Sequence, residues 1–201
     1  MNTFLKLAIT SLCAFITCKA YETCRCPRSM YLNSLPDDSE YRSARDFLTS
    51  NETLYLKYLT MTVPILGKQC VTSTLRQPPL PYPYIPRWIW YTDATGGQER
   101  IGIPITLTMT NETYFTTEDL PSFGTTFPIV FCDSKCMIHY ILKTSVFGQI
   151  GCALWVKASS KDNRLLHCEV IYKFFCETSY QVVYRKDTCD VLVPESKKHS
   201  G

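Results

Sequence analysis

The sequence lacks the motifs of the common catalytic sites and has few histidines. Only three imidazoles are present, His139, His167 and His199. No G-x-S-x-G elbow, H-E-x-x-H pair or glycine-rich phosphate loop accompanies them. A triad assembled from distant positions is the enzymatic arrangement that the sequence leaves open. We therefore predict a binding protein and not an enzyme, without a cofactor.

Neither sign of charge dominates the chain, and long apolar runs are missing after residue 20. The formal net charge is +3, and the basic residues are dispersed apart from a short tail at 197–199. A nucleic-acid partner would need a basic patch or stripe, and a membrane helix would need about 20 apolar residues. The composition therefore predicts neither nucleic-acid binding nor a membrane partner.

Residues 1–20 have the pattern of a secretory signal peptide. Lys6 precedes an apolar run at 7–16, and small residues follow at Cys18 and Ala20. Such a segment is removed on export, so we predict a secreted, extracellular product. We further predict an N-terminal arm at 21–40, one domain at 41–193 and a polar tail at 194–201.

Cysteine is abundant, which is typical of an exported, disulfide-bonded chain. Of the 11 cysteines, two lie in the predicted signal peptide. Nine remain: Cys24, Cys26, Cys70, Cys132, Cys136, Cys152, Cys168, Cys176 and Cys189. The odd number requires one thiol that is free or bonded to another molecule. No histidine lies at ligand spacing beside the C-x-C and C-x-x-x-C pairs, so we predict no metal site.

Short strands separated by turn signals fill most of the predicted domain. Eight segments are rich in β-branched and aromatic residues or alternate in polarity: 54–61, 69–75, 87–92, 101–110, 113–117, 126–131, 136–142 and 152–156. No helices alternate with them, which predicts an all-β antiparallel sandwich or barrel. The proline-rich stretch 78–86 is predicted to be a surface loop.

One amphipathic helix follows the last of these strands. Its apolar side consists of five residues at helical spacing, Leu166, Val170, Ile171, Phe174 and Phe175. An apolar stripe of this kind is normally buried, so we predict that it packs on the outside of the sheet. Asp162 or Asn163 is the predicted N-cap, and an extended segment is predicted to follow the helix.

Two N-x-T sequons predict glycosylation of an exported chain. They lie at Asn51 and Asn111, each at a predicted turn where an acceptor side chain is accessible.

Several segments together resemble one protein family, the histamine-binding group of tick salivary lipocalins. The segments C-A-L-W-V, D-N-x-x-x-x-C, a helix ending in F-F-C, and Y-Q-V-V-Y-R-K-D-T-C resemble its C-terminal half. The run F-P-I-V-F-C-D-S-K-C resembles its strand that ends in a cysteine. The resemblance covers about 41–189 and implies an eight-stranded antiparallel barrel with a C-terminal helix packed on its side.

The resemblance also implies the disulfide pairing. It implies bonds from Cys70 to Cys189 and from Cys136 to Cys168, and it makes Cys152 with Cys176 a plausible third bond. Cys24, Cys26 and Cys132 are then left over, and at most one pair can come from these three.

The ligand-binding residues that the resemblance implies are largely apolar. Amine-binding members hold an ammonium with inward carboxylates, but the matching positions here are Phe127, Met137 and Ala153, with Trp155 nearby. Strand alternation adds Ile129 and Phe131 to the predicted lining. An acid from the weakly matched middle, Asp93 or Glu99, or Asp46 near a barrel end, could still supply the missing charge.

The resemblance implies a secreted lipocalin that sequesters a host mediator. A biogenic amine, histamine or serotonin, is the ligand that the family implies. A lipid mediator, a fatty acid or a sterol is the alternative, and the lining residues taken alone favour it. An inhibitor that binds a host protein of complement, a protease or an immune cell is a third possibility, and the sequence leaves the oligomeric state open.

Overall fold

Nine strands and three α-helices make up the described part of the chain. The computed structural model describes residues 43–63, 65, 67–93, 99–142, 150–176 and 179–192, all within one compact unit, Glu40–Gly201. The strands are β1 Leu54–Thr60, β2 Lys68–Leu75, β3 Tyr84–Asp93, β4 Arg100–Asn111, β5 Tyr114–Thr116, β6 Thr126–Cys132, β7 Cys136–Leu142, β8 Ile150–Lys157 and β9 Tyr180–Val182. The helices are α1 Ala44–Leu48, α2 Leu166–Phe175 and α3 Lys186–Leu192.

Eight of the strands close into an antiparallel barrel. Each of β2 to β7 pairs with the next strand in the chain, and β1 closes the ring by pairing with β8 and β2. The contact of β1 with β2 is short, at Leu54 and Tyr55. Farther along β1, strand β9 takes the place of β2 and pairs with Tyr58, Leu59 and Thr60. The predicted eight-stranded barrel with a C-terminal helix is therefore confirmed.

The predicted boundaries of the signal peptide, the arm and the tail lie outside the described residues and remain predictions. Among the helices that the structure does describe, none has the length and apolar character needed to cross a bilayer.

The proline-rich stretch 78–86 is a loop over only part of its predicted length. Strand β3 begins at Tyr84 and includes Pro86, which lies opposite Thr106 of β4. Proline has no N–H to donate to a sheet. The carbonyl of Pro86 nevertheless accepts a 2.9 Å hydrogen bond from the backbone N of Arg76, just beyond the end of β2. The prediction that the whole stretch is a loop was wrong at this end.

Helix α1 packs into one end of the barrel. Ser43 caps it by accepting a hydrogen bond from the backbone N of Asp46, as short hydroxyl side chains commonly do. Phe47 and Leu48 are buried in the same cluster as the inward side chains of the strands. We call the opposite end, where β2, β4 and β8 begin, the distal end.

Side chains on β1 show how the sheet separates two cores. Leu54, Leu56 and Leu59 belong to the cluster inside the barrel, whereas Tyr55 and Tyr58 contact the cluster on its outer side. Alternation along a strand produces this division, and a register shift between Leu56 and Tyr58 explains the one break in it. The outer cluster lies under α2 and α3.

Four of the five residues in the apolar stripe that we predicted to bury α2 lie on the exposed side of the helix, and the fifth, Ile171, is partly buried against the outer cluster. Leu166, Val170, Phe174 and Phe175 are 58%, 58%, 74% and 49% exposed, whereas Cys168, Tyr172 and Cys176 are buried. The buried residues have the same spacing of four, but two of them are bonded to strands, to Cys136 and to Cys152. These two bonds decide which face of α2 meets the barrel, so the prediction was wrong for the stripe.

Two further expectations for this region were also wrong. Leu165 is the N-cap of α2 and makes no side-chain cap bond. The carboxylate of Asp162 instead lies 3.7 Å from the Lys161 Nζ and 3.4 Å from the Lys186 Nζ, and these ion pairs hold it away from the helix N-terminus. The segment predicted to be extended contains only the short β9, and it ends in α3.

Three disulfide bonds connect the helices to the barrel. They join Cys70 to Cys189, Cys136 to Cys168, and Cys152 to Cys176, which are the pairs that the family resemblance implied. Cys132 is a buried free thiol, and burial raises its pKa to about 12. Cys24 and Cys26 lie outside the described residues.

Candidate functional site

A cavity of about 150 Å3 lies inside the barrel. Inward side chains of β1–β4, β7 and β8 form most of its wall, and Leu48 of α1 lies at one end. Most lining residues are aliphatic or aromatic: Leu48, Leu54, Leu56, Leu59, Ile65, Val71, Ile89, Tyr91, Ile103, Ile105, Leu107, Phe115, Leu120, Phe123, Phe127, Met137, Ile141, Ala153 and Trp155. The polar residues of the wall are Lys68, Ser73, Arg87, Thr117 and His139.

His139 is a buried, neutral histidine whose two nitrogens are both occupied. Trp155 donates from Nε1 to His139 Nε2 at 3.1 Å, so the ring proton must be on Nδ1, which lies 3.0 Å from the carbonyl oxygen of Tyr140. Burial lowers the pKa of His139 to about 4, against a smaller opposing effect of the bond to Tyr140. His139 therefore offers an uncharged ring to the cavity, edge-on to Phe115 and Phe127.

Arg87 is a buried cation that ties three elements together. Its Nε donates to Ser73 Oγ at 2.7 Å and its Nη2 to the Ser73 carbonyl at 2.9 Å, while Nη1 donates to the carbonyl of Leu48. Burial lowers the pKa of Arg87 to about 10. All three nitrogens are thus used to fasten the end of α1 to β2 and β3, and Arg87 is a structural residue at this end of the cavity.

No acidic side chain of the described residues lines the cavity. Asp46 and Glu99 are exposed, and Asp93 at the end of β3 is partly buried, but none of the three belongs to the wall. An ammonium that leaves water for an apolar site needs a nearby counter-charge to offset its lost hydration. The described wall does not provide one.

The structure separates the residues that we predicted to line the barrel. Phe127, Met137, Ala153 and Trp155 are in the cavity wall, and Ile129 packs beside the interior core without reaching the wall. Phe131 lies on the outer side of the sheet, in the cluster under α2, because a register shift between Ile129 and Phe131 breaks the alternation of β6. The expectation for Phe131 was therefore wrong.

Strands β2, β3 and β4 each contribute three residues to the wall, and β3 and β4 lie where the family resemblance is weakest. Alternation in the predicted strand 101–110 was the available signal, since Ile103, Ile105 and Leu107 all face the cavity. Pairing across β3 and β4 places Ile103 opposite Ile89 and Ile105 opposite Arg87. Sequence reasoning found the strand but did not assign its inward residues to the site.

A second group of reactive side chains lies outside the barrel. Asp133, Cys136, His167 and Cys168 have ligand atoms within 4.8 Å of one another. The two cysteines are bonded to each other, so neither sulfur is available as a thiolate ligand. His167 Nε2 and Asp133 Oδ2 lie 2.7 Å apart, and an Asp–His pair beside a disulfide is a structural contact, with too few donors to hold a metal.

Comparison with known families identifies the chain. The family model described as tick histamine binding protein matches residues 32–191. The chain belongs to this family. No curated protein sequence is significantly similar to the chain.

Solved structures of low sequence identity share this fold. Japanin from Rhipicephalus appendiculatus, in a structure bound to cholesterol, has a TM-score of 0.56 and 12% identity, with 69% of this chain and 97% of that chain covered. Lobster apocrustacyanin A1 has a TM-score of 0.51 and 14% identity, with 72% and 81% covered. At these identities the similarity establishes the fold, and the family establishes the broad class, a small-molecule-binding lipocalin.

Proposed function

We propose that this chain is an exported carrier that encloses an apolar or amphipathic small molecule with an alkyl chain and removes it from the surroundings. The observation that carries the proposal is the cavity wall, which is largely aliphatic and aromatic and lacks a carboxylate among the described residues. Hydrophobic burial is then the driving force, at about 0.8 kcal/mol per buried CH2 group.

The dimensions of the cavity favour a chain over a ring system. An apolar cavity of about 150 Å3 holds a benzene-sized molecule, and a section of alkyl chain fits the same space. A sterol is larger than the cavity as described. The cholesterol found with Japanin supports a lipid ligand in a related fold, and this chain would have to widen to accept one.

The family description favours an amine, and the site does not. The wall contains aromatic rings that could face a cation, including Phe115, Phe127 and Trp155. Without a carboxylate, however, these rings alone do not offset the desolvation of an ammonium. We therefore rank histamine and serotonin below an alkyl ligand.

Calorimetry on protein secreted from a eukaryotic host and stripped of lipid tests the proposal. The panel contains fatty acids of increasing chain length, cholesterol, histamine and serotonin. We expect the fatty acids to bind, with affinity rising with chain length until the cavity is filled. Nanomolar histamine affinity without any lipid uptake would contradict the proposal.

A second candidate function, inhibition of a host protein, is favoured by the outer surface of the proline-rich loop. Leu80, Tyr82 and Tyr84 are exposed there, and exposed aromatic residues are enriched in binding surfaces. Assays of complement lysis and of protease activity with the stripped protein would reveal such inhibition. Loss of inhibition in the double variant Tyr82→Ser, Tyr84→Ser would assign it to this loop.

A further inference from the structure

Lys68 places a cation in the cavity wall at the distal end of the barrel. It is the first residue of β2, and the wall includes it together with Tyr91 of β3. The ammonium of Lys68 lies 5.1 Å from the centre of the Tyr91 ring. The face of an aromatic ring attracts a cation, so the ammonium of Lys68 lies beside the part of the wall that Tyr91 forms.

The surroundings of Lys68 contain no described carboxylate at ion-pair distance. Its register partner across the β2–β3 ladder is Asp93, yet the ion pairs formed by the described residues do not join the two. Arg87, the other strong base of the wall, is fully engaged with Ser73 and Leu48 at the α1 end. Lys68 is thus the basic group of the described wall that remains able to meet a charged ligand.

We propose that Lys68 binds the acid group of an amphipathic ligand, whose alkyl chain occupies the cavity while its carboxylate lies at the distal end. This inference rests on the proposed function as an alkyl-ligand carrier and adds the identity of the polar group. A carboxylate at Lys68 gains both an ion pair and a charge-assisted hydrogen bond, an alcohol at the same place accepts a hydrogen bond without bringing an opposite charge, and an ammonium is repelled.

Three ligands that share one chain and differ in the head group provide the test: dodecanoic acid, dodecanol and dodecylamine, each below its aggregation concentration. We measure their affinities by calorimetry for the wild-type chain and for Lys68→Gln and Lys68→Glu. The wild type should bind the acid about fivefold more tightly than the alcohol, because a partly exposed ion pair contributes this order of energy. The amine should bind most weakly.

The variants should change the head-group preference without removing chain binding. Lys68→Gln should bind acid and alcohol equally, because the acid loses its additional affinity, and Lys68→Glu should prefer the amine. Lys135→Gln is the matched control, since it removes the same charge from an exposed lysine between β6 and β7 and should keep the wild-type preference.

Equal binding of acid and alcohol by the wild type, or an acid preference that persists in Lys68→Gln, would overturn the role of Lys68 and leave the carrier function intact. Failure of all three ligands to bind would instead overturn the carrier function and this inference with it.

Discussion

Trp155 donates an indole hydrogen bond of 3.1 Å to Nε2 of His139 across the β7–β8 pair. Because that nitrogen must accept, the imidazole is neutral in the folded state, and Nδ1 is bonded to the Tyr140 carbonyl. Both side chains are in the cavity wall. The pair therefore satisfies two buried polar groups without placing a charge beside the ligand.

This neutral histidine predicts a loss of stability in acid. Burial lowers the pKa of His139 from 6.5 to about 4, so below pH 6.5 the unfolded chain binds a proton that the folded chain excludes. The stability that depends on neutral His139 is present above the unfolded pKa and is lost as the pH falls toward the folded one, by about 2 kcal/mol from about pH 7.5 to about pH 5. Urea unfolding at both pH values should show this loss in the wild type and a smaller loss in His139→Gln. Equal losses in the two proteins would exclude His139 as the cause.

A carboxylate introduced into the cavity wall should shift the ligand preference from alkyl chains toward amines. Ala153 faces the cavity two residues before Trp155, and Ala153→Glu would supply the counter-charge that an ammonium needs. We expect calorimetric histamine affinity to rise at least tenfold, which is about 1.4 kcal/mol, while alkyl-chain binding weakens. Ala153→Gln is the control of equal size, and an equal gain in that variant would show that charge is not responsible.

The two faces of α2 should respond differently to truncation. Tyr172 is fully buried, packed against Tyr58 and Tyr180, so Tyr172→Ala should lower the free energy of unfolding by about 3–5 kcal/mol. Phe174 is largely exposed on the opposite side, and Phe174→Ser should change the free energy of unfolding by less than about 0.5 kcal/mol. Urea titrations of both variants measure these changes. A large loss of unfolding free energy in Phe174→Ser would show that the apolar stripe is buried after all.

The disulfides should contribute in the order of the loops that they close. The bond Cys70–Cys189 spans 119 residues and Cys152–Cys176 spans 24. Chain entropy predicts losses of about 5 and about 3.5 kcal/mol when each pair is replaced by alanine. Non-reducing peptide maps should first verify the pairs, and unfolding of the double variants then gives the losses. The reverse order would indicate that packing around α2 outweighs chain entropy.

Both sequon asparagines are exposed, Asn51 before β1 and Asn111 at the end of β4. Protein secreted by eukaryotic cells should therefore lose the mass of two glycans on enzymatic deglycosylation. Asn51→Gln and Asn111→Gln should each remove one of them. An unchanged mass would argue against the predicted secretion or against use of these sites.

Local patterns predicted the barrel strands well because their signal is contained within a few residues. The segment 136–142 matches β7 as observed. Phe127 and Trp155 came from the family resemblance, and both lie in the cavity wall. Alternation failed at Phe131, where a register shift against β7 depends on the partner strand and leaves no trace in β6 itself.

The eight strands, the apolar character of most inward positions and the spacing of the cysteines can be predicted from the sequence, since each follows from side chains close together in the chain. Which face of α2 is buried cannot be predicted in this way, because Leu166, Val170 and Phe174 repeat with the same period as Cys168, Tyr172 and Cys176. The disulfide bonds of α2 to Cys136 and Cys152, which are distant in the chain, determine which of these two faces packs against the barrel. Strand pairing likewise brings Lys68 of β2 beside Tyr91 of β3, and the packing of α1 brings Leu48 beside Arg87. Such contacts set the charge of a cavity whose apolar character is already apparent in the strands.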